Sequence, residues 1–579
     1  MAKIRGTSRQ ISAARGDEEV DLLLKGGEIF STTTKEWIRQ DLAIKDGIIV
    51  GWGNRPALQE IDVTGCKLTP GFIDAHMHIE STKLWADEFV KVVLPRGTTA
   101  IAADPHELAN VFGVPGVVEL ARATSELPFT FGICASSCVP ASQYESPGAT
   151  IGAQEIAALL EMDSVIGVAE VMNYPGVINA DPEVLAKIAV AGATRVDGHA
   201  PGVRGTQLDA YLSAGVESDH ECSDLAEAHE KRQKGMWIFL RQGSASQNIS
   251  DLAPSIIDHG TSRAALCSDD REPTLLLAQG HMNDCLRVAV SAGITVEDAL
   301  VMATLNPADY HGLHHLGSLG PGHQADVVVF RSLESFEPEV VLQRGVVVAR
   351  NGEIVEGTVQ PSTPPSWMMN SVHLKRSIES SDFDLGAPVD QAMRVIGVTE
   401  RTLVTKSMTR TPSSCAPGSL ARLSVIERHR ATGRIGLGLV EGFGLRRGAL
   451  ASTVAHDAHN LMVVGGMESE ADLEDMALAA NTLASVGGGQ VVCHNGKVLA
   501  LVALPIAGLM STKSAQETAH DLEAALAAAS SLGVTLEDPF MQLSFLGLSV
   551  IPELRLTDLG LIDVTNFTTT ELLVGSSPQ

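Results

Sequence analysis

Aromatic residues are scarce in this chain, at 4% of 579 positions, and several familiar kinds of segment are missing altogether. No stretch reaches the ~18 consecutive apolar residues that a bilayer-spanning helix needs, so no membrane partner is expected. Met1–Val20 is polar and charged and lacks the apolar segment of a secretory signal; residues 1–20 read as a flexible arm. Basic residues are too few for nucleic acid: 42 Lys and Arg stand against 70 Asp and Glu, giving a net charge of −28. Phosphate backbones are bound by dense Lys and Arg, and here the acidity serves solubility. Only 8 cysteines occur, with no C-x-x-C pair, which suits reduced thiols in a cytoplasm. Gly487-Gly488-Gly489 is no phosphate loop, because no Lys-Ser/Thr follows it.

What is present reads as a compact α/β enzyme: 44% hydrophobic, 19% charged and rich in glycine, too long for a single core. Residues 21–69 carry short apolar runs and the hairpin turn Asp46-Gly47, and residues 316–357 repeat that texture around Asn351-Gly352. The two flanks are expected to form one small β-sandwich. Between them, residues 70–315 alternate apolar strands with helical patterns. Eight strands are predicted, at 71–75, 99–103, 131–135, 164–169, 194–197, 216–218, 236–240 and 264–267. Eight such units make a metal-dependent (β/α)8 barrel inserted in the sandwich, with its chemistry at the C-terminal strand ends. A Pro/Ser-rich linker at 358–379 then leads to a C-terminal α/β domain at 380–579.

The candidate functional residues sit at those strand ends. His76 and His78 are spaced i, i+2, which on a strand puts both imidazoles on one side. Glu170 follows the fourth apolar run, where burial without a partner or a metal is costly. His199 and His220 follow the next two strands, and Asp269-Asp270 the last. Each has a plainer reading: a satisfied structural histidine, an ion-paired barrel glutamate, or a helix cap at Asp269-Asp270. Taken together in barrel order, imidazole and carboxylate from successive strands suit two divalent ions bridged by a carboxylate and a hydroxide. That donor set fits zinc, iron or manganese without choosing among them. Asp269, first after its strand, is preferred as the ligand, with Asp270 or Arg271 behind it.

These stretches resemble the bacterial adenine deaminases of the amidohydrolase superfamily. The likeness is carried by Pro70–Ser81 (PGFIDAHMHIES), Ala103–Asn110 (ADPHELAN), Ser136–Pro140 (SSCVP), Ala169–Val177 (AEVMNYPGV), Asp197–Gly202 (DGHAPG), Ser218–Glu221 (SDHE) and Cys267–Arg271 (CSDDR). In the last third it continues through Gly442–Ala451 (GFGLRRGALA), His456–Asn460 (HDAHN) and Leu504–Ser511 (LPIAGLMS). The resemblance implies hydrolysis of adenine to hypoxanthine and ammonia in purine salvage, a reaction at a cyclic amidine. It also implies a binuclear centre of Mn2+ or Fe2+, with Zn2+ as a further choice. Glu170 would bridge, His76, His78 and Asp269 would hold one ion, and His199 and His220 the other. Two departures bear on the base: Thr82-Lys83 stands where the family often has Ser-Met, and Gln242 replaces a glutamate within Arg241–Ala245. Both Lys83 and Gln242 follow strand ends and are expected to face the substrate, as candidates alongside Arg241 and Ser244.

In this reading Asp269 takes the proton of the attacking water and passes it to the departing amine. A second proton must reach a ring nitrogen, for which Glu80, Asp104, His106 and Glu107 are candidates. His106 and Glu107 equally suit a helix start capped by Asp104. His456-Asp457-Ala458-His459-Asn460 is open to three readings: a separate metal site, a lid or substrate contact, or a polar anchoring turn. The alternatives to an adenine-specific enzyme are a relative acting on another amino-heterocycle or cyclic amide, and a metal-binding scaffold without catalysis. The partner expected is a small purine base; a homo-oligomer is compatible with a barrel of this size.

Overall fold

A computed structural model describes residues 6–244, 246–399 and 402–575. The strands that build the barrel are β1 (Phe72–Met77), β2 (Thr98–Ala103), β3 (Thr130–Ala135), β4 (Val165–Val171), β5 (Arg195–Gly198), β6 (Ser218–Asp219), β7 (Trp237–Arg241) and β8 (Ala264–Cys267). They lie as parallel sheets of five and three strands. The seams close at both sides: Asp269 N donates to His76 O at 3.0 Å, and Glu217 N donates to Val196 O at 3.0 Å. Nearly every residue of β1 to β4 is buried, as parallel strands covered by helices must be. The strands run further toward the chemistry than the apolar runs alone suggested: His76 lies inside β1 and Glu170 inside β4, not after them. Polar residues interrupt the apolar pattern there, so the pattern stops before the ladder does.

Both flanks feed one layered β structure. Val327–Phe330 pairs antiparallel with Lys67–Pro70, joining the later flank to the earlier in a seven-stranded sheet. A four-stranded sheet built from residues 20–62 packs beside it, with Leu22, Leu24, Ile29, Ile44, Leu68, Val327 and Leu342 in a shared core. The expected loose arm is corrected here. Ser8–Arg15 is a helix whose Thr7 cap and Gln10 side chain close a reciprocal box, and whose Ala13 is buried against Val20, Leu23, Ala43 and Val50. Its apolar anchors, Ala13 and the half-buried Ala14, are too small a signal to register in a polar sequence.

Residues past the linker form an eight-stranded sheet, with helices Glu470–Val486 and Ala515–Ser531 packed on it. The first helix is bounded by local chemistry: Ser469 and Asp472 cap its start, and Gly487 at φ +85° ends it in the left-handed conformation. A short helix, Pro539–Phe545, capped by Asp538, carries Phe545 to the barrel mouth. The linker is pinned as it passes: Trp85 Nε1 donates to Ser362 Oγ at 3.2 Å, and Ala507 N to Met368 O at 2.8 Å.

Candidate metal centre

Glu170 stands at the middle of the barrel mouth, 2% exposed, with its two oxygens facing different groups. Oε1 lies 3.4 Å from His78 Nε2 and 3.9 Å from His76 Nε2. Oε2 lies 2.8 Å from His199 Nδ1 and 3.4 Å from His220 Nε2. Asp269 Oδ1 approaches the first pair, at 3.1 Å from His78 Nε2 and 3.7 Å from His76 Nε2. The loop after β8 delivers it through a left-handed backbone at Asp269 (φ +55°), an uncommon conformation for a residue with a side chain. The Asp269 N–H bond to the His76 carbonyl holds that turn in place.

Most of these separations are too long for good hydrogen bonds. His76 Nε2 and His199 Nε2 are buried without any hydrogen-bond partner, a costly state unless something else engages them. Burial pushes the pKa of His76 well down, and His220 and His78 beside it push it further, so its lone pair is free. Burial would raise the Glu170 carboxyl, but His199 and the other imidazoles outweigh it and hold it ionised, well below the usual range. Asp269 is held ionised in the same way, against the cost of burial, by Arg241 and His78. The Arg241 guanidinium bonds both Asp269 and Glu221, and donates through Nη2 to Ser246 Oγ at 2.5 Å. Six neighbouring donors of imidazole and carboxylate type are the equipment for divalent cations.

Over this cluster opens a cavity at the barrel mouth. Its polar wall includes Glu221, Arg241, Ser246 and Asp270 beside the cluster, and its far wall is apolar: Met172, Leu403, Phe545, Leu548 and Ile551. His456 completes the mouth, its ring stacked on Phe545 at 4.6 Å between centroids. Four of the apolar residues and His456 come from beyond the linker.

The other candidate residues divide. His106, Arg241 and Asp270 line the cavity; Glu80, Asp104 and Glu107 are buried behind its wall. Glu80 Oε1 accepts from Leu108 N at 2.9 Å, and Glu107 Oε1 from Ser81 Oγ at 2.8 Å. Asp104 caps no helix: the His106–Phe112 helix starts without a side-chain cap, and neither Asp104 oxygen is bonded. Nor do Asp269 and Asp270 cap the Pro273–Gln279 helix, which begins at Glu272. Ser244 turns away, its Oγ accepting from Glu272 N at 2.8 Å, and Ser246 takes the cavity position instead. Lys83 and Gln242 do not face the cavity either. Lys83 is ion-paired with Glu272, and its carbonyl accepts from Ser511 N at 2.8 Å. The Gln242 carbonyl accepts from Arg271 at 2.7 Å, and its side chain is buried outside the cavity lining. Neither Lys83 nor Gln242 therefore lines the cavity over the Glu170 cluster. Glu221 escaped the sequence reading although it adjoins His220, because a carboxylate after a histidine is no signal until Arg241 is seen to clasp it.

Comparison with known proteins agrees across the chain. Residues 68–358 match the amidohydrolase family, and residues 398–568 match the adenine deaminase C-terminal domain. Over 565 residues the chain is 41% identical to adenine deaminase 2 of Carboxydothermus hydrogenoformans, spanning 96% of this chain and 98% of that one. It is 42% identical over 566 residues to the adenine deaminase of Desulfatibacillum aliphaticivorans, with the same coverage. The adenine deaminase of Methanothrix thermoacetophila gives 42% over 566 residues, again at 96% and 98%.

Proposed function

This chain belongs to the adenine deaminase family within the amidohydrolases, and from that premise we propose that it hydrolyses adenine to hypoxanthine and ammonia at the Glu170 cluster. The observation that carries the reading is the division of the Glu170 carboxylate. One oxygen faces His76 and His78 and the other faces His199 and His220, the arrangement of a bridging ligand between two cations. The unpartnered His76 Nε2 fits such an ion, and His199 turns its Nδ1 toward the shared oxygen. In this proposal His76, His78 and Asp269 hold one, His199 and His220 the other; manganese, ferrous iron and zinc all suit the donors.

Two divalent ions supply, when bound, the acidity that makes water a nucleophile at neutral pH. The rest falls to the chain. Asp269 Oδ1 receives the proton released from the attacking water and returns it to the exocyclic amine as that group leaves. Arg241, bonded to the other Asp269 oxygen, fixes the carboxylate's orientation and keeps it ionised. The apolar wall of Met172, Leu403, Phe545, Leu548 and Ile551 accepts the flat face of a purine and excludes water from it. Asp270 and His456 present polar atoms to the same space, within reach of ring nitrogens. We assign the activity to purine salvage in the cytoplasm, a reading supported by 8 cysteines that are all unpaired.

The test is ammonia release from adenine by full-length protein carrying manganese or ferrous iron, measured beside chelated protein. Release that follows metal content is the expected result. Protein holding two equivalents of metal per chain and releasing no ammonia from adenine overturns the substrate assignment.

A further inference from the structure

The signature of the Glu170 cluster recurs a few ångströms away, at the seam between the barrel and the C-terminal domain. There His106, Cys138 and Asp457 bring an imidazole, a thiol and a carboxylate together, with ligand atoms within 4.8 Å of one another. All three are at most 3% exposed. Both His106 nitrogens and Asp457 Oδ2 have no hydrogen-bond partner. His106 Nε2 stands 3.7 Å from Asp457 Oδ1. That gap is too long for a hydrogen bond but close to the edge of a tetrahedron with ~2.1 Å bonds, about 3.4 Å.

The groups behind this trio match those that orient metal-binding histidines. His106 Nδ1 lies 3.2 Å from Asp104 Oδ2 and 3.6 Å from Glu170 Oε1, and neither Asp104 oxygen has a hydrogen-bond partner, so Asp104 stands ready beside that nitrogen. A histidine that binds a metal through Nε2 hands its Nδ1–H to a carboxylate in this manner. The Cys138 segment is anchored from two sides: Asn110 Nδ2 donates to the Cys138 carbonyl at 3.2 Å, and Ser137 Oγ to the Glu170 carbonyl at 2.6 Å.

A rival cluster next door, Glu107, His456 and His459, fails the same scrutiny. His459 Nδ1 accepts a hydrogen bond from Ala455 N at 3.1 Å, so a neutral ring carries its proton on Nε2. That Nε2 faces Glu107 Oε2 at 3.6 Å as a donor and has no lone pair to offer a cation.

We propose that His106 Nε2, Cys138 Sγ and the Asp457 carboxylate form a third cation site, which takes a thiophilic divalent ion such as zinc or ferrous iron. Binding replaces the thiol proton, released to solvent, with a metal–sulfur bond. A thiolate and a carboxylate then neutralise the ion in a buried place. The ion ties the loop after β2 and the 136–140 segment to the 453–460 loop, clamping the C-terminal domain onto the barrel mouth.

Sulfur makes the proposal separable from the reading of the Glu170 cluster, whose six candidate ligands include none. Full-length protein loaded with zinc is examined by X-ray absorption, and a cobalt-loaded sample by absorption spectroscopy. The expected result is a zinc–sulfur shell at about 2.3 Å and a thiolate-to-cobalt charge-transfer band. Cys138→Ser should lose both and carry one fewer metal per chain; Asp457→Asn should lose the third equivalent. Metal-saturated wild-type protein with no sulfur in the zinc shell overturns the site, whatever the variants do. So does a sulfur signal that survives Cys138→Ser.

Discussion

Two buried polar clusters adjoin in the barrel, meeting at Asp219-His220, and they are built on opposite principles. At the first, Lys231 Nζ has three protons and three acceptors: Glu227 Oε1 at 2.6 Å, Ala200 O at 2.7 Å and Asp219 Oδ2 at 2.9 Å. Asp219 is spent as well, its Oδ1 accepting from Ala200 N at 2.8 Å. Every strong group there has a partner, and the network holds the turns after β5 and β6 in place. At the second, around Glu170, four of the six imidazole–carboxylate approaches span 3.4–3.9 Å, longer than good hydrogen bonds, and His76 Nε2 and His199 Nε2 have no partner. Both clusters are buried and both hold ionised groups. A closed network is a structural fastener; an open one is equipped for a ligand.

That contrast can be broken experimentally. The largest effect is expected at Asp269→Asn: adenine turnover falls by about 10³-fold or more as the proton acceptor is lost, while a melt of the metal-loaded protein moves little. A variant that retains a tenth of the wild-type kcat would remove Asp269 from the chemistry. Lys231→Met should do the reverse. Stranding Asp219 and Glu227 without their cation costs about 3–5 kcal/mol in denaturant unfolding, with metal content retained in whatever folds. The pH dependence sharpens this. Burial pushes the Lys231 ammonium down in pKa, but Asp219 and Glu227 outweigh it and raise it. A raised pKa means that the contribution is complete below the unfolded value of about 10.4 and is lost only as pH climbs past it. The gap between wild type and variant should therefore stay flat from about pH 6 to 9; a gap that closes within that range contradicts the assignment.

Metal removal comes next. Chelation should lower stability by about 3 kcal/mol for each ion removed, relative to protein at a hundredfold excess of metal over its dissociation constant, restored on reloading. Thermal melts with and without metal check it, and identical melts would mean that the open cluster binds no cation. The smallest effect is expected at Phe545→Ala. Losing an aromatic face from the cavity should raise KM for adenine about tenfold, some 1.4 kcal/mol, with metal content unaltered. An unchanged KM would leave the C-terminal domain's wall without a part in binding the base.

How legible these features are in the chain follows from how locally they are made. The His76–His78 pair needs only the two-residue period of a strand, Glu170 stands out as a polar residue closing an apolar run, and His199, His220 and Asp269 follow within a few residues of such runs. The Glu470–Val486 helix is written in its own caps. Ser244 shows the limit. Ser246 lies two positions on, and Ser244 is held away from the cavity by contacts with Asp270 and Glu272. Lys83 shows it again: after a strand end it resembled a substrate contact, yet its charge is spent on Glu272 at the domain seam.

The sequence by itself determined the alternation of strands and helices, the six donors of the Glu170 cluster and the family to which the chain belongs. Periodicity, caps and ligand spacing act over a few residues, so one strand of text suffices to read them. Only the tertiary structure decided that Glu170 divides its oxygens between two sets of histidines. It also decided that Phe545 and His456 roof the cavity from a domain more than 180 residues further along, and that Asp457 meets Cys138 and His106. Those contacts join side chains that share no local period. They exist because two separately patterned domains bury their surfaces against each other, and that packing acts through space rather than along the chain.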